Sequence, residues 1–426
     1  MRIGFAFLAA AAVACVSRNE MNVSPSDSSN QRAPLVSAAP KAWGTLDGVS
    51  IVGGFGSGIV ASADGTTLYI VTDRGPNVET SSADELFFPV PTFTPQIGKF
   101  VVAGDSVRLV ATIELTSATG KKLTGIPNPA SQGGTGETAI GPDNAVIPPD
   151  PDGVDIEAIT LASDGSFWLS DEYGPHILHV DPAGRTIERI NPFGTGTGGR
   201  MLPLVLAKRR PNRGLEGLTI TPDGKTLIGI MQSPLDNPNS SVRKGNNVVR
   251  VLAFDIASGA TRQFLYVMDA PGLHVNDIAA ITDTSFLVLE RDGGFQGDAK
   301  SPAVYKRIYR MDITGATDVS DAKNSAAGRM YDGRTIEQLT AADRSANGIV
   351  TVRKSLVYDL LTHPSGYPHD KAEGLALIGG NTIVVTNDDD FGIVPGRVSR
   401  IAPKLLPSGA RDRLDVYFIK LAIPLR

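Results

Sequence analysis

A carboxylate followed by an apolar, strand-like run recurs four times along the chain. The copies contain Glu157, Glu216, Asp277 and Glu373, and Asp155 lies two residues before the first of them. Glu157 and Glu216 are 59 residues apart, and Glu216 and Asp277 are 61 residues apart. A motif that returns at a fixed spacing is an internal repeat, and equivalent residues of a closed repeat fold converge in space. We therefore expect these five acids to lie near one another.

Further acids follow the second strand-like run of several repeats: Asp73, Asp171, Glu172, Glu290, Asp292, Asp388, Asp389 and Asp390. Converging carboxylates raise one another's pKa unless a positive group lies among them. Hard divalent cations, calcium above all, bind such oxygen ligands. The pattern predicts a calcium site with these candidate ligands: Asp155, Glu157, Glu216, Asp277, Glu373 and Asp388. Glu157, Glu216, Asp277 and Glu373 are also the candidate catalytic carboxylates.

Four cationic side chains lie within four residues of these acids: Arg74, Arg213, Arg291 and Lys371. Arginine and lysine neutralise phosphoryl oxygens, and arginine does so with two parallel hydrogen bonds. These residues are therefore candidates for binding a small phosphorylated substrate. The simpler alternative is that Asp-Gly turns and surface acids produce the pattern, with ion pairs bracing neighbouring repeats.

The elements that must position these residues are short strands. Each repeat reads as an apolar strand, a glycine-containing turn and a second strand, as in 158–171, 217–231 and 374–387. Residues 335–344 are the one amphipathic helical candidate. Many short strands with a period near sixty residues predict an all-β fold, a single β-propeller of roughly six four-stranded blades.

The start of the chain has the character of an export signal. A charged Met1-Arg2 precedes a short apolar run that ends at Cys15, the single cysteine of the 426 residues. This pattern resembles a lipoprotein signal, with ordinary signal-peptide cleavage as the alternative. We predict a signal peptide over 1–15, a disordered Ser/Pro-rich tether over 16–42 and a propeller domain over 43–426. The expected location is the outer membrane or periplasm of a bacterium, with contact to the membrane only through the lipid.

Other function classes lack support. A net charge of −5 argues against a nucleic-acid partner. The G-x-G-x-x-G match at 194–199 follows no strand and precedes no helix, so it is interpreted as a loop. The sequence contains no G-x-S-x-G or H-E-x-x-H motif, which removes the signatures of serine esterases and zinc proteases. We expect a monomer.

Several segments together resemble the bacterial phytase-like family, which is described by an esterase-like activity of phytase. They are residues 73–77, 88–95, 171–175, 212–218, 287–292, 370–375 and 387–391. The resemblance covers nearly the whole body and implies a propeller-type fold and a phosphoester hydrolase. One departure is Asp389, where the family usually has Asn. Another is Ala158, where the repeats at Glu216 and Glu373 carry Gly.

Three functions remain open at this point. The first is a calcium-dependent phosphatase or phosphodiesterase that uses metal-assisted attack by water. The second is a metal-dependent lactonase or carboxyl esterase on the same propeller. The third is a non-catalytic scaffold of the cell envelope. The cations beside the acids favour the first, because a phosphate needs cationic partners and a lactone does not.

Overall fold

The computed structural model describes residues 32–82 and 84–425. The predicted signal peptide, Cys15 and residues 16–31 of the predicted tether lie outside the described residues. Within the described part of the chain, no helix has the length and apolar character needed to cross a membrane.

The regular secondary structure of the described chain is almost wholly β-strand. The first eleven are β1 (Leu35–Ala38), β2 (Ala42–Leu46), β3 (Val49–Val52), β4 (Gly58–Ala61), β5 (Thr67–Val71), β6 (Val78–Glu79), β7 (Glu85–Phe87), β8 (Gln96–Ala103), β9 (Ser106–Glu114), β10 (Thr138–Ile140) and β11 (Val146–Ile147). The next eight are β12 (Ile156–Leu161), β13 (Phe167–Asp171), β14 (His176–Val180), β15 (Thr186–Ile190), β16 (Leu215–Ile220), β17 (Thr226–Met231), β18 (Val248–Asp255) and β19 (Thr261–Val267). The last nine are β20 (His274–Ala280), β21 (Ser285–Arg291), β22 (Lys306–Asp312), β23 (Arg353–Asp359), β24 (Ala372–Ile378), β25 (Thr382–Asn387), β26 (Ile393–Pro395), β27 (Ile401–Pro403) and β28 (Asp415–Lys420).

These strands form five four-stranded antiparallel blades. In the order of their innermost strands, the blades are β4-β5-β8-β9, β12 to β15, β16 to β19, β20 to β23, and β24-β25-β28-β1. We call them blades one to five. The inner strands β4, β12, β16, β20 and β24 contact one another in sequence, and β24 contacts β4 again. Because this ring of inner strands is closed, the fold is a β-propeller around a central channel.

The core lies between the blades. Five apolar clusters each join two neighbouring blades, and the fifth joins blade five back to blade one. In the cluster between blades three and four, for example, Ile230 and Val251 pack with Ile278 and Val288. Each blade thus buries its two faces against its neighbours, which is why the repeat is stable only as a ring.

The predicted propeller is confirmed, but it has five blades in the described chain where the sequence analysis predicted roughly six. The estimate of six came from dividing the folded length by sixty residues per blade. That estimate was too high because part of the length belongs to insertions outside the blades. Two insertions, one between β5 and β8 and one after β9, together form a separate four-stranded sheet of β6, β7, β10 and β11, here called the inserted sheet. Another spans residues 313–352 and separates β22 from β23. The hairpins β2-β3 and β26-β27 add further length outside the blades.

The ring closes through a strand from the start of the described chain. β1 pairs antiparallel with β28 and parallel with β9, so it supplies the outer strand of blade five. β2 pairs with β3. Residues 35–38 and 42 were predicted to belong to the disordered tether, and this part of the prediction is wrong. Leu35 explains the difference, because its fully buried side chain packs in the cluster between blades one and five.

The helical segments of the described chain are short. The predicted helix at 335–344 is instead a 3-10 turn at Ile336–Gln338 followed by α1 (Ala341–Ala346). Thr340 caps α1 through a hydrogen bond that its side chain accepts from Asp343 N. Further 3-10 turns occupy Ala130–Gln132, Leu204–Lys208, Ser240–Arg243, Leu360–Thr362 and Asp390–Gly392. The glycine-rich segment 194–199 is a loop, as expected.

Candidate active site

The repeated carboxylates sit at a bulge near the start of each inner strand. The pairing register shifts between Ile156 and Ala158, and between Leu215 and Gly217, so Glu157 and Glu216 are the extra residues. The same irregularity encloses Glu373 in β24. A β-bulge redirects the side chain of the extra residue. Here it turns three glutamates of three blades into the channel.

In blade four the bulged residue is Asn276, not Asp277. The register shift in β20 falls between Val275 and Asp277. Asn276 Nδ2 donates to Glu216 Oε1 at 3.2 Å and to Glu373 Oε1 at 3.4 Å. The ring of equivalent positions is therefore Glu157, Glu216, Asn276 and Glu373, with Ser57 at the corresponding place in blade one.

Asp277, predicted as a metal ligand and catalytic acid, does not line the cavity at the channel mouth. Its carboxylate accepts hydrogen bonds from Ile278 N and Leu375 N, both at 2.8 Å. The bond from Leu375 N ties β20 to β24, the inner strand of blade five. Burial raises the pKa of Asp277, and bonds to backbone N–H groups act against that rise. The prediction is wrong because the sequence does not show which of two adjacent polar residues is the bulged one.

A second layer of polar residues follows the second strand of every blade. In blades two to five, its members lie one residue after the partner of the residue that precedes the bulge, and Asp73 holds the corresponding place in blade one. The layer consists of Asp73, Glu172, Gln232, Arg291 and Asp388. The three glutamates of the first layer and all five residues of the second line one cavity of about 90 Å³ at the channel mouth. The cavity is lined by Asp73, Arg74, Asp155, Glu157, Glu172, Asn212, Arg213, Glu216, Gln232, Arg291, Lys371, Glu373 and Asp388. All predicted site residues of the folded body except Asp277 are among them.

Three of the lining carboxylates are close enough to bind one metal ion. Each of Asp155, Glu157 and Glu172 offers an oxygen, and these atoms lie within 4.8 Å of one another. All three side chains are buried. Burial, followed by the neighbouring charge of Asp155, raises the pKa of Glu172 to about 7 and holds that of Glu157 well above its usual value. The trio is an oxygen-only donor set of the kind that calcium prefers.

The four predicted cations also line the cavity, but three of them are paired with acids. Arg74 contacts Glu137 at 3.2 Å and Asp155 at 3.5 Å. Arg291 contacts Glu373 at 2.6 Å. Lys371 binds Asp388 at 2.8 Å and also Asp390.

Arg213 differs from the other three cations. Its NH1 donates to the amide oxygen of Gln232 at 2.5 Å. Among the described residues, it has no carboxylate within ion-pair distance. Of the four, it is therefore the cation best placed to bind an anionic ligand.

Glu216 is held by one oxygen. Its Oε1 accepts from Gln232 Nε2 at 2.5 Å and from Asn276 Nδ2 at 3.2 Å. Its Oε2 is buried and has no hydrogen-bond partner among the described residues. Burial, then the charges of Glu172 and Glu373, keep its pKa well above the usual value. A fixed carboxylate with one unpaired oxygen and a raised pKa has the attributes of a general base.

Several acids at the strand ends point elsewhere. Asp171 faces Arg189 at 3.8 Å, and Asp389 accepts from Gly54 N at 2.7 Å. Asp292 accepts from the backbone of Val304 and Tyr305, while Glu290 joins a network of tyrosines. Successive strand residues face opposite sides, so adjacent acids cannot all reach the channel.

Sequence reasoning missed four cavity or rim residues. Asn276 and Gln232 occupy repeat positions, so aligning the four repeats by their apolar residues would have found them. Glu137 and Asn212 carry no such signal. Both accept hydrogen bonds from Arg74 NH1, and Glu137 lies in the insertion that follows blade one.

Comparisons with known proteins give one family and a partial relative. The Phytase-like family, described by the esterase-like activity of phytase, matches residues 50–391. An uncharacterized secreted protein of Arthroderma benhamiae is 30% identical, and the match covers 41% of each chain. The chain therefore spans well under half the length of this curated relative.

Solved structures give weaker likenesses. A protein from Lactobacillus plantarum is 13% identical, with 88% of this chain and 91% of that chain covered and a TM-score of 0.35. The virginiamycin B lyase of Staphylococcus aureus is also 13% identical, with 89% and 98% covered and a TM-score of 0.33. Agreement at this level carries no functional argument. The sequence match over residues 50–391 is decisive, and the chain belongs to the Phytase-like family.

Proposed function

We propose that this protein is an exported hydrolase that cleaves phosphoesters with the help of a divalent cation, most simply Ca²⁺, at the channel mouth. The observation that carries the proposal is the unequal charge of the cavity lining. Seven carboxylates face four cationic side chains there. Uncompensated buried charge is costly, so either protons or a metal ion must offset the surplus. The family's esterase-like activity supports ester hydrolysis as the reaction.

The residues fit a hard cation. Asp155, Glu157 and Glu172 would hold it, since their oxygens already lie within 4.8 Å of one another. Asp73 and Asp388 lie in the same cavity as further acids. A cation bound there supplies acidification of a water molecule and neutralisation of charge on the phosphoryl oxygens.

The chain's own residues would position and activate the reactants. Glu216 accepts the proton of the attacking water at its unpaired Oε2, while Gln232 and Asn276 hold its other oxygen. Arg213 binds a non-bridging phosphoryl oxygen, and positioning of this kind dominates phosphoryl transfer. The water oxygen adds to phosphorus, the bond to the alcohol oxygen breaks, and the alcohol leaves with a proton from solvent. Arg74, Arg291 and Lys371 mainly hold the acids in place, because each is already paired with one.

A carboxyl ester or lactone is the second candidate substrate. The observation in its favour is that three of the four cations are engaged with carboxylates, which leaves little positive charge for an anionic substrate. Hydrolysis of a neutral ester would use the same cation and the same base. It would not need Arg213.

The test compares p-nitrophenyl phosphate with p-nitrophenyl acetate, each with calcium and with a chelator. We expect phosphate release that stops on chelation. Glu216→Gln should lower kcat by about 100-fold or more if the residue is the general base. Arg213→Ala should raise KM for the phosphate ester by about tenfold, as a charge-assisted contact is lost, and leave acetate hydrolysis unchanged.

Arg262→Ala, at an exposed site on the outer strand of blade three, is the matched control. If only p-nitrophenyl acetate is cleaved, and only with calcium, the protein is a carboxyl esterase or lactonase and not a phosphoester hydrolase. Cleavage of neither ester would leave the scaffold as the better interpretation. Phosphate release that survives exhaustive chelation would remove the cation from the mechanism.

Export and lipid anchoring belong to the same proposal. The charged start, the apolar run and Cys15 support them, and the relative from Arthroderma benhamiae is described as secreted. With Val16 after the cysteine, the proposed destination is the outer membrane of a Gram-negative cell. Cys15→Ser should move the protein from the membrane pellet to the soluble fraction. Retention in the pellet would contradict the lipid anchor.

A further inference from the structure

A second cavity opens directly beside the candidate active site. It has a volume of about 270 Å³ and shares Asp73, Arg74, Asn212 and Lys371 with the cavity at the channel mouth. The two spaces are therefore adjacent. A substrate whose phosphoryl group lies near Arg213 has this second space, here called the side cleft, available for the rest of the molecule.

The walls of the side cleft come from two elements outside the blades. Val78 and Leu86 belong to the inserted sheet, and Ile393 and Val394 belong to the β26-β27 hairpin. Phe391 lies between them and packs edge-to-face against Phe93, with ring centroids 5.1 Å apart. Val78, Phe391 and Ile393 share one buried apolar cluster. Because this common core holds both walls, the cleft is preformed and has an apolar side.

The charged residues of the side cleft are mostly acidic. Asp73, Glu79, Glu137 and Asp390 line it, whereas Arg74 and Lys371 are its only basic lining residues among those described. Arg74 is paired with Glu137, and Lys371 with Asp390. Glu79 is exposed at the edge. A ligand with several negative charges would meet this surplus without free cations to offset it.

We propose that the side cleft binds the alcohol portion of the ester, and that this portion is uncharged and partly apolar. A polyphosphorylated alcohol such as inositol hexakisphosphate is then a poor substrate. This inference rests on the proposed phosphoester hydrolysis and names its substrate class. On cleavage the phosphorus–oxygen bond breaks, phosphate stays at the channel mouth, and the protonated alcohol leaves through the side cleft.

The experiment separates charge from shape with three substrates at saturating calcium. Inositol monophosphate and inositol hexakisphosphate share one ring and differ in charge, and phenyl phosphate adds an apolar group. We expect kcat/KM to fall from phenyl phosphate to the monophosphate to the hexakisphosphate, with at least about a tenfold gap at the last step. Added salt should narrow that gap, because it screens repulsion at the exposed edge.

Two variants test the residues named. Glu79→Gln should raise activity on the hexakisphosphate relative to the monophosphate by about threefold, since one repelling charge is removed. Val394→Ser should lower activity on phenyl phosphate relative to the monophosphate. Asp105→Asn, an exposed acid in the β8-β9 turn, is the charge-matched control and should change neither ratio.

The outcomes distinguish the two proposals. Faster cleavage of the hexakisphosphate than of the monophosphate would overturn the inference and leave phosphoester hydrolysis standing. Cleavage of none of the three, with calcium bound to the protein, would remove the proposed function and this inference with it. Equal effects of Glu79→Gln and Asp105→Asn would mean that the side cleft does not hold the alcohol.

Discussion

Two polar networks, one at the channel mouth and one in blade four, differ in how completely their buried carboxylates are paired. At the channel mouth, seven carboxylates face four cations, and Glu216 Oε2 has no partner among the described residues. In blade four, Glu290 accepts from Tyr266 and Tyr305 hydroxyls, from Asp269 N and from Lys354.

The second network, here called the Glu290 network, is closed. Asp269, which is exposed, binds Lys354 at 2.6 Å and Tyr309 at 2.6 Å, and Arg307 lies 3.8 Å away. Arg307 also pairs with Asp359 at 3.0 Å, so three acids face two cations. Glu290 is the buried acid of the three, and Lys354 neutralises it. A buried carboxylate whose charge and oxygens are all paired stabilises the fold, whereas the surplus of buried acids around a cavity is what a bound cation would offset.

The largest expected effect is at the channel mouth. Glu157→Gln removes one of the three carboxylates within 4.8 Å and should lower calcium affinity and hydrolysis together, by about 100-fold. Calcium titration by calorimetry, alongside phosphate release, measures both. An unchanged calcium affinity would mean that these three carboxylates do not bind the cation, and the proposed difference between the two networks would then be wrong.

The pH dependence of stability should distinguish the two networks next. The pKa of Glu172 in the folded protein is about 7, against 4.5 for the free side chain. Its stabilising contribution is therefore complete below about pH 4.5 and is lost as pH rises through about 7, by roughly 3 kcal/mol at most. Without divalent cations, the melting temperature should fall between pH 5 and pH 8.

Calcium should reverse this trend, because a cation replaces the protons that the acids otherwise need. The melting temperature should rise more on adding calcium at pH 8 than at pH 5. Equal calcium effects at both pH values would contradict a cation bound by Asp155, Glu157 and Glu172.

A smaller, purely structural effect is expected in the Glu290 network. Glu290→Gln leaves Lys354 with only one carboxylate and should cost about 2–3 kcal/mol of unfolding free energy. Urea denaturation measures the loss. Calcium affinity should stay as in the parent protein, and a drop comparable with that of Glu157→Gln would mean that the two networks are not separate.

The smallest expected effects compare two neighbouring residues of β20, Asp277 and Asn276. Asp277→Ala removes the bonds from Ile278 N and Leu375 N and should cost about 1–3 kcal/mol of stability, with calcium affinity and kcat unchanged. Asn276→Ala, one residue earlier, should instead lower kcat by about tenfold, because Glu216 loses a positioning donor. If Asp277→Ala lowered kcat and Asn276→Ala did not, Asp277 would belong to the active site after all.

Much of the candidate site could be predicted from the sequence, because the internal repeat can be recognised from the recurring acidic residues and their spacing. Glu157, Glu216 and Glu373 recur before apolar runs, and Arg74, Arg213, Arg291 and Lys371 lie close to acids in the chain. Closure of a repeat fold brings such positions together, so their convergence followed from spacing alone. The all-β propeller followed from the same period and from the near absence of helical patterns.

Tertiary structure decided the rest. A one-residue bulge sends Asn276 into the channel and Asp277 into the backbone of blade five, and local sequence does not specify which neighbour bulges. Insertions lengthen the chain outside the blades, so the blade count could not be obtained from the chain length. The ring is closed by β1, whose Leu35 packs in the apolar cluster between blades one and five. Which arginine forms an ion pair depends on distances between blades. Arg213 and Arg291 look alike in the sequence, but within the described residues only Arg291 of the two has a carboxylate at ion-pair distance, 2.6 Å away at Glu373.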